Sequence, residues 1–306
     1  MQPIRAITFK ILSVLIFVMM AAMIKATSPH IPPGEAVFFR SFFAIPVIVA
    51  WLWMRGDLAQ GFATKNPLNH VWRGVVGTSA MALMFASLAY LPLPEQTAIG
   101  YAMPIFVVIF ASMFLNETVR LFRLSMVGVG LVGVMVVLSQ RLSIGTTGMD
   151  TAATLGAVFA LGGAVCAALA QVFIRKMTKT ESTSSIVFWF SCTATGLSLF
   201  TLYWGWSIPT WTEAALLIGS GLLGGVGQIL LTSSYRYADA SLVAPFEYSS
   251  MIFSVAIGWM IFDEIPTGTT LIGGFIVICA GIAIIWRENQ LRLNRTQPRK
   301  AMTPQG

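Results

Sequence analysis

The sequence predicts an all-α integral membrane protein of ten transmembrane helices, arranged as two inverted five-helix repeats. Three observations carry that prediction. Of the 306 residues, 56% are hydrophobic and 10% are charged, whereas a soluble domain holds about 25% charged residues. The apolar residues gather into ten runs, each near the roughly 20 residues that a helix needs to cross a bilayer. The second half of the chain also repeats the first at an offset of 147 positions.

The first run, about Ile7 to Ala26, has Lys10 near its start as a signal peptide would. It stays apolar to Ile24 and ends in Lys25 with no small-x-small cleavage site, so it reads as a retained helix. The second, Glu35 to Met54, encloses Arg40, and the third, His70 to Leu91, carries "GVVG" from Gly74. The fourth, Glu95 to Leu115, is disturbed by Pro104, which has no N–H to give its helix. The fifth, Phe122 to Ser139, holds "GVGLVG"; with no strand before it, this is not a dinucleotide fingerprint. Thr154 to Arg175, Ser184 to Gly205 and Thr212 to Tyr235 follow, the last of these with "GSGLLGGVG". Ser241 to Phe262 contains Pro245 and Glu247, and Thr269 to Trp286 closes the series with Gly273 and Gly274. Runs this long without alternation exclude a membrane β-barrel and leave helices as the spanning element. Their glycines provide small faces for close helix packing. Cys166, Cys192 and Cys279 all fall inside runs and read as packing residues, not as a disulfide or metal pair.

Orientation follows from the loop cations. With the N-terminus inside, 16 of the 19 Lys and Arg residues fall on the cytoplasmic side, leaving Lys25 and Arg141 outside and Arg40 within the second span. Both termini are therefore expected in the cytoplasm. The basic tail, residues 288–306, is explained by this topology, with anionic-lipid contact as a secondary effect and no nucleic-acid role.

The repeat pairs Gly74 to Tyr90 with Gly221 to Tyr237 without a gap, then Tyr101 with Tyr248 and Glu117 with Glu264, giving 11 identities over 44 positions. The units are residues 5–140 and 152–287. Five helices are an odd number, so the second unit enters the membrane from the opposite side; a site at the meeting of such halves, near the midplane, is expected.

The stretches "GEAVFFRSFFAIPVIV", "LPLPEQTAIGYAMPIFVVIFASMFLNETV" and "SLVAPFEYSSMIFSVAIGWMIFDEIPTGTTLIGGFIVICAGIAII" resemble the EamA family of the drug/metabolite transporter superfamily, over nearly the whole chain. That resemblance implies a secondary transporter of the bacterial inner membrane. The second-helix and "LPLPE" wording is similar to bacterial riboflavin transporters and, less closely, to S-adenosylmethionine uptake carriers, so riboflavin uptake is the first expectation. An amino acid or drug exporter and an S-adenosylmethionine carrier are the alternatives, and an integral-membrane enzyme or sensor is more remote. Partners are then a small-molecule substrate and membrane lipid, with a homo-oligomer allowed.

The ionisable and aromatic residues within runs are the candidates for substrate binding or coupling. Glu247, read as about seven residues inside its helix, is one, since intramembrane carboxylates face cavities or partners. Arg40 is another; the two depths argue against a direct Arg40–Glu247 pair. Tyr101 and Tyr248 form an equivalent pair that could stack a flat solute, beside Pro104 and Pro245, whose freed carbonyls could line a cavity. Trp189 is a deep tryptophan of the same kind. Glu117 and Glu264, at equivalent helix ends, read as structural. No Walker A, HExxH or Cys/His cluster occurs, so no catalytic residue, cofactor or metal is expected.

Overall fold

The computed structural model describes residues 3–56, 58–115, 121–139, 151–177, 180–237 and 244–296. Every regular element among the described residues is helical. In chain order they are α1 (Pro3–Thr27), α2 (Pro33–Phe42), α3 (Ala44–Met54), α4 (Leu58–Phe62), α5 (Pro67–Leu88), α6 (Leu93–Gly100), α7 (Ala102–Leu115), α8 (Leu121–Ser139), α9 (Thr151–Met177), α10 (Thr183–Leu199), α11 (Trp211–Tyr237), α12 (Ser249–Phe262) and α13 (Gly268–Thr296). Short 3-10 turns, Phe200–Trp204 and Ala244–Tyr248, extend α10 and precede α12.

Among the described residues, six stretches are long and apolar enough to cross a bilayer: Ile4–Thr27, Pro33–Met54, Pro67–Leu88, Thr151–Ile174, Ser184–Trp204 and Trp211–Leu231. Shorter apolar stretches are Ser125–Val137, Phe246–Phe262 and Gly268–Ile284. The protein is a multi-pass membrane protein. Outward-facing Trp53, Trp204, Trp211, Ile252 and Phe275 suit a lipid solvent, where exposed apolar side chains carry no penalty.

Two runs that read as single helices are broken, and proline explains both. Pro46 cannot donate to the carbonyl of Phe42, and the chain interrupts at Phe43 between α2 and α3. Pro104 likewise leaves the carbonyl of Gly100 without its donor, and the interruption falls at Tyr101 between α6 and α7. α12 stops at Asp263, whose φ of 54° is left-handed; the N–H of Glu264 then donates to the carbonyl of Gly258 at 3.0 Å. α13 continues to Thr296, carrying helix into the segment read as a basic tail.

Glycines set how the helices pair and show their relative directions. Met23, Met20 and Phe17 of α1 meet Gly219, Gly224 and Gly227 of α11, so these two helices run antiparallel. On α9, Gly156 meets Tyr90 and Leu91 while Gly163 meets Met84 and the Ala80 carbonyl, which makes α5 and α9 antiparallel as well. Gly130 and Gly133 of α8 face Ala280 and Gly273 of α13 in the same sense. By contrast, Phe43 lies at Gly221 and Val47 at Gly225, so α3 runs parallel to α11. The core has two main parts. One joins Ile99, Ile105, Val134 and Ala160 with Tyr248 and Val277; the other joins Val18, Ile24, Val37, Phe85 and Leu217.

The tightest crossing yields a stability prediction. A Cβ added to Gly273 would lie 2.6 Å from the Gly133 carbonyl oxygen, whereas one on Gly128 would meet open space. Gly273→Ala is expected to cost about 1–3 kcal/mol of stability by forcing α13 off α8. Gly128→Ala should be neutral or gain up to about 1 kcal/mol from helix propensity. Thermal melting of the purified protein in detergent checks this, and equal destabilisation by both substitutions would defeat the packing account.

Candidate functional site

Three groups of polar side chains stand out within the bundle. The first joins α1 to the ninth apolar segment at both of its ends. Lys10 of α1 is fully buried and ion-paired with Glu247, whose side chain keeps 44% exposure. Fifteen residues later Lys25 pairs with Glu264 at 2.9 Å and also donates to the carbonyl of Leu91 at 2.6 Å. The second oxygen of Glu264 accepts the N–H of Leu93 at 2.8 Å, satisfying a free donor at the start of α6. Because 10 pairs with 247 and 25 with 264, α1 and α12 run parallel, clamped at each end.

The second group sits where α2, α5 and α10 meet. Arg40 and Arg73 are 6% and 7% exposed, respectively, too enclosed for either to reach bulk water. Their guanidinium carbons lie 5.9 Å and 3.9 Å from the centroid of one ring, Phe190. Nε of Arg40, and both Nε and Nη1 of Arg73, have no hydrogen-bond partner among the described residues. Two glycines make room for these bulky groups. A Cβ at Gly224 would be 3.1 Å from Nε of Arg40; one at Gly77 would overlap Nη1 of Arg73 and lie 2.9 Å from Phe190.

The third group joins the loop before α5 to the loop before α10. Oε1 of Glu181 accepts the N–H of Lys65 at 2.8 Å, the N–H of Asn66 at 2.9 Å and the hydroxyl of Thr64 at 3.2 Å. Its other oxygen is 3.8 Å from Nε2 of His70, beyond hydrogen-bond range. Burial alone would push this carboxyl up, but the donors outweigh it and hold the carboxyl below the ordinary glutamate range.

Of the candidates read from the sequence, Glu247, Glu264 and Arg40 fall in these groups and the others lie outside them. Glu247 lies in the 3-10 turn Ala244–Tyr248, which Pro245 shares, so the described helix starts beside it and not seven residues earlier. Its partner is Lys10, and Arg40 belongs to a different cluster. Tyr101 and Tyr248 touch edge to face with centroids 5.2 Å apart. The hydroxyl of Tyr101 reaches the Tyr248 carbonyl at 3.1 Å and Ser250 Oγ at 2.7 Å, so each ring covers the other. Trp189 donates from its indole N–H to the carbonyl of Phe62 at 3.2 Å, bracing α4. The backbone break at Tyr101 follows from Pro104. Glu117 lies outside the described residues.

Lys10 and Arg73 are the functional candidates that sequence reasoning missed, because both were counted as loop cations. A signal for Arg73 was present: His70, Arg73 and Gly77 recur at helical spacing along one face of an apolar run. No comparable signal marks Lys10, whose partner is 237 positions away.

Comparison with known proteins places this geometry in context. The EamA-like transporter family matches residues 4–139 and 154–287. The chain is 28% identical to a pseudopaline exporter of Pseudomonas aeruginosa, covering 88% of this chain and 91% of that protein. It is 27% identical to an S-adenosylmethionine uptake transporter of Rickettsia bellii over 88% and 89% of the two chains. A riboflavin transporter of Rhizobium johnstonii is 29% identical over 86% of this chain and 84% of its own. A solved crystal structure superposes with a TM-score of 0.66 at 18% identity, covering 94% of this chain and 98% of that one, which shows a shared fold.

The Glu181 junction predicts a dependence on acid. A carboxyl whose folded pKa is depressed contributes stability above its unfolded value, near 4.3, and loses it as pH falls through the folded value. Glu181→Gln is expected to lower stability by about 1–3 kcal/mol at neutral pH, the worth of hydrogen bonds to a charged group. The gap between variant and wild type should narrow as pH drops below the ordinary glutamate range. Melting curves of both proteins across that range test this, and a constant gap would refute the charged-acceptor account.

Proposed function

The chain belongs to the EamA-like transporter family, and we propose that it is a secondary carrier moving a small metabolite across the bacterial inner membrane by alternating access between two inverted five-helix halves. The halves are residues 5–140 and 152–287, with the basic segment 288–306 and both termini on the cytoplasmic side. One observation carries the reading. Gly74 and Gly77 correspond to Gly221 and Gly224 at the 147-residue offset, and Phe190 and Thr193 correspond to Arg40 and Phe43 at 150. Gly77 meets Phe190 as Gly224 meets Arg40, and Gly74 meets Thr193 as Gly221 meets Phe43. Such an exchange of contacts between halves is what a two-fold relation within the membrane plane produces. The helix directions support it too. In a chain crossing ten times in series, the first and ninth spans and the second and eighth run parallel, while the first and eighth and the third and sixth run antiparallel, as their contacts do.

Alternating access needs closures that can open. The pairs Lys10–Glu247 and Lys25–Glu264 stand at opposite ends of the parallel α1 and α12 and suit that role. Breaking only one end at a time would open the path to one side of the membrane. The relatives named for riboflavin, S-adenosylmethionine and pseudopaline are similar to this chain at 27–29% identity, so riboflavin uptake, the first expectation from the wording of the sequence, stands as one candidate among them.

The carrier reading predicts saturable exchange in proteoliposomes. Counterflow of labelled riboflavin and of labelled S-adenosylmethionine would be run in parallel on a cysteine-free background carrying Lys10→Cys and Glu247→Cys. Exchange of an accepted solute should stop when the two cysteines are oxidised to a disulfide and return on reduction. Undiminished exchange in the cross-linked protein would sink the gating role, and chemical conversion of the solute would favour an enzyme.

A further inference from the structure

We propose that Arg40 and Arg73 together form an oxyanion-binding site, and that the transported solute presents a carboxylate or a phosphate to it; this rests on the carrier reading. The two side chains are more than nine-tenths buried, and three of their nitrogens have no partner among the described residues. A buried charge kept without a partner is costly, and within membrane spans such residues mark substrate pathways.

The neighbouring acids do not supply the missing partner. Glu35, on the same helix as Arg40, accepts the N–H of Ser207 at 3.1 Å. Glu181 is held by Thr64, Lys65 and Asn66. Glu247 and Glu264 are paired with Lys10 and Lys25. Two like charges therefore converge on one ring with no carboxylate paired to either among the described residues, and their mutual repulsion is relieved by an anion.

The geometry also selects the kind of anion. A guanidinium lying 3.9 Å over the ring of Phe190 uses its face for the aromatic contact. Its N–H groups lie in the plane, and those of Nε and Nη1 are buried and unpartnered among the described residues. An anion that reached them as the halves part would meet a fork set for bidentate bonding to a carboxylate or to two oxygens of a phosphate. Arg40 supplies a second fork from the opposite helix. A neutral solute would leave both forks unmet, so the site discriminates by charge before shape.

Arg73 also departs from the repeat. Its counterpart 147 positions on is Ser220, which is buried and gives its hydroxyl to the carbonyl of Leu217 at 2.7 Å. The packing of two repeated halves does not require a cation there, and a ligand of opposite charge does.

The test uses the full chain in detergent, with thermal melting followed through labelling of its cysteines. Riboflavin and flavin mononucleotide share one ring system and differ by a phosphate monoester; citrate and inorganic phosphate test the charge without the ring. Flavin mononucleotide or citrate should raise the melting temperature at matched ionic strength, while riboflavin and chloride should not. Arg73→Gln and Arg40→Gln should each weaken that anion effect by roughly tenfold or more, with Arg73→Lys intermediate. Equal shifts by riboflavin and its phosphate, or no shift by any of the anions on the wild type, would overturn the proposal without any variant being made. A lipid source is separated by comparing nanodiscs of phosphatidylcholine and phosphatidylglycerol: stabilisation by phosphatidylglycerol alone, with no competition from citrate, would also overturn it. Failure of the carrier reading shows differently, as anion shifts intact with no counterflow of labelled flavin mononucleotide, citrate or S-adenosylmethionine.

Discussion

A charge inside hydrocarbon has no water to fall back on, and this chain meets that constraint in a different way at each of its buried cations. Lys10 is neutralised by Glu247, and Lys25 is shared between Glu264 and the carbonyl of Leu91. Arg40 and Arg73 are given an aromatic ring instead. The same constraint acts on the backbone: helices satisfy their own carbonyls, and the two interruptions at Phe43 and Tyr101 fall where proline withholds a donor. Both interruptions lie beside contacts between the two segments that match the family, residues 4–139 and 154–287, at Arg40 and Phe190 and at Tyr101 and Tyr248.

Packing without a hydrophobic driving force needs close approach, and glycine supplies it. The α8–α13 crossing brings Gly133 and Gly273 backbone to backbone, a contact suited to an immobile scaffold. Around the arginines glycine does something else. Gly77 and Gly224 clear volume for the side chains of Arg73, Phe190 and Arg40. One residue type thus serves both a rigid backbone seam and a close fit around bulky buried side chains.

Much of the architecture is readable from local pattern. Run length and composition locate the apolar helices, and the register of Tyr101 with Tyr248 locates residues that do touch, 147 positions apart. The prolines at 104 and 245 mark real irregularities. What is not readable is which charges leave the loops. A count of loop cations treats Arg73 and Arg55 alike, yet one is buried under Phe190 and the other is exposed over Trp51. The difference lies in a contact between α5 and α10, over a hundred residues apart, which no window on a single sequence contains. Glu247 illustrates the same limit: its acidity within an apolar run signals a partner, but Lys10, Arg40 or a solute would each satisfy that signal until the helices are placed.

Duplication builds a scaffold more readily than it builds a site. Two copies of one unit, meeting about a two-fold relation, would face each other with equal side chains, and the tyrosines nearly do so: Tyr101 and Tyr248 meet edge to face, and the Tyr101 hydroxyl reaches Ser250 and the Tyr248 carbonyl. At the arginines the copies differ. The first half contributes both charges, from α2 and α5, and the second contributes the ring of Phe190 and the small face at Gly224. An unequal pair of surfaces can hold a solute that itself has a charged end and an apolar body, with the charge toward one half. In the proposed carrier cycle the solute would stay with the half that holds its charge while its contacts with the other half change, an asymmetry that directional binding between two repeated halves requires.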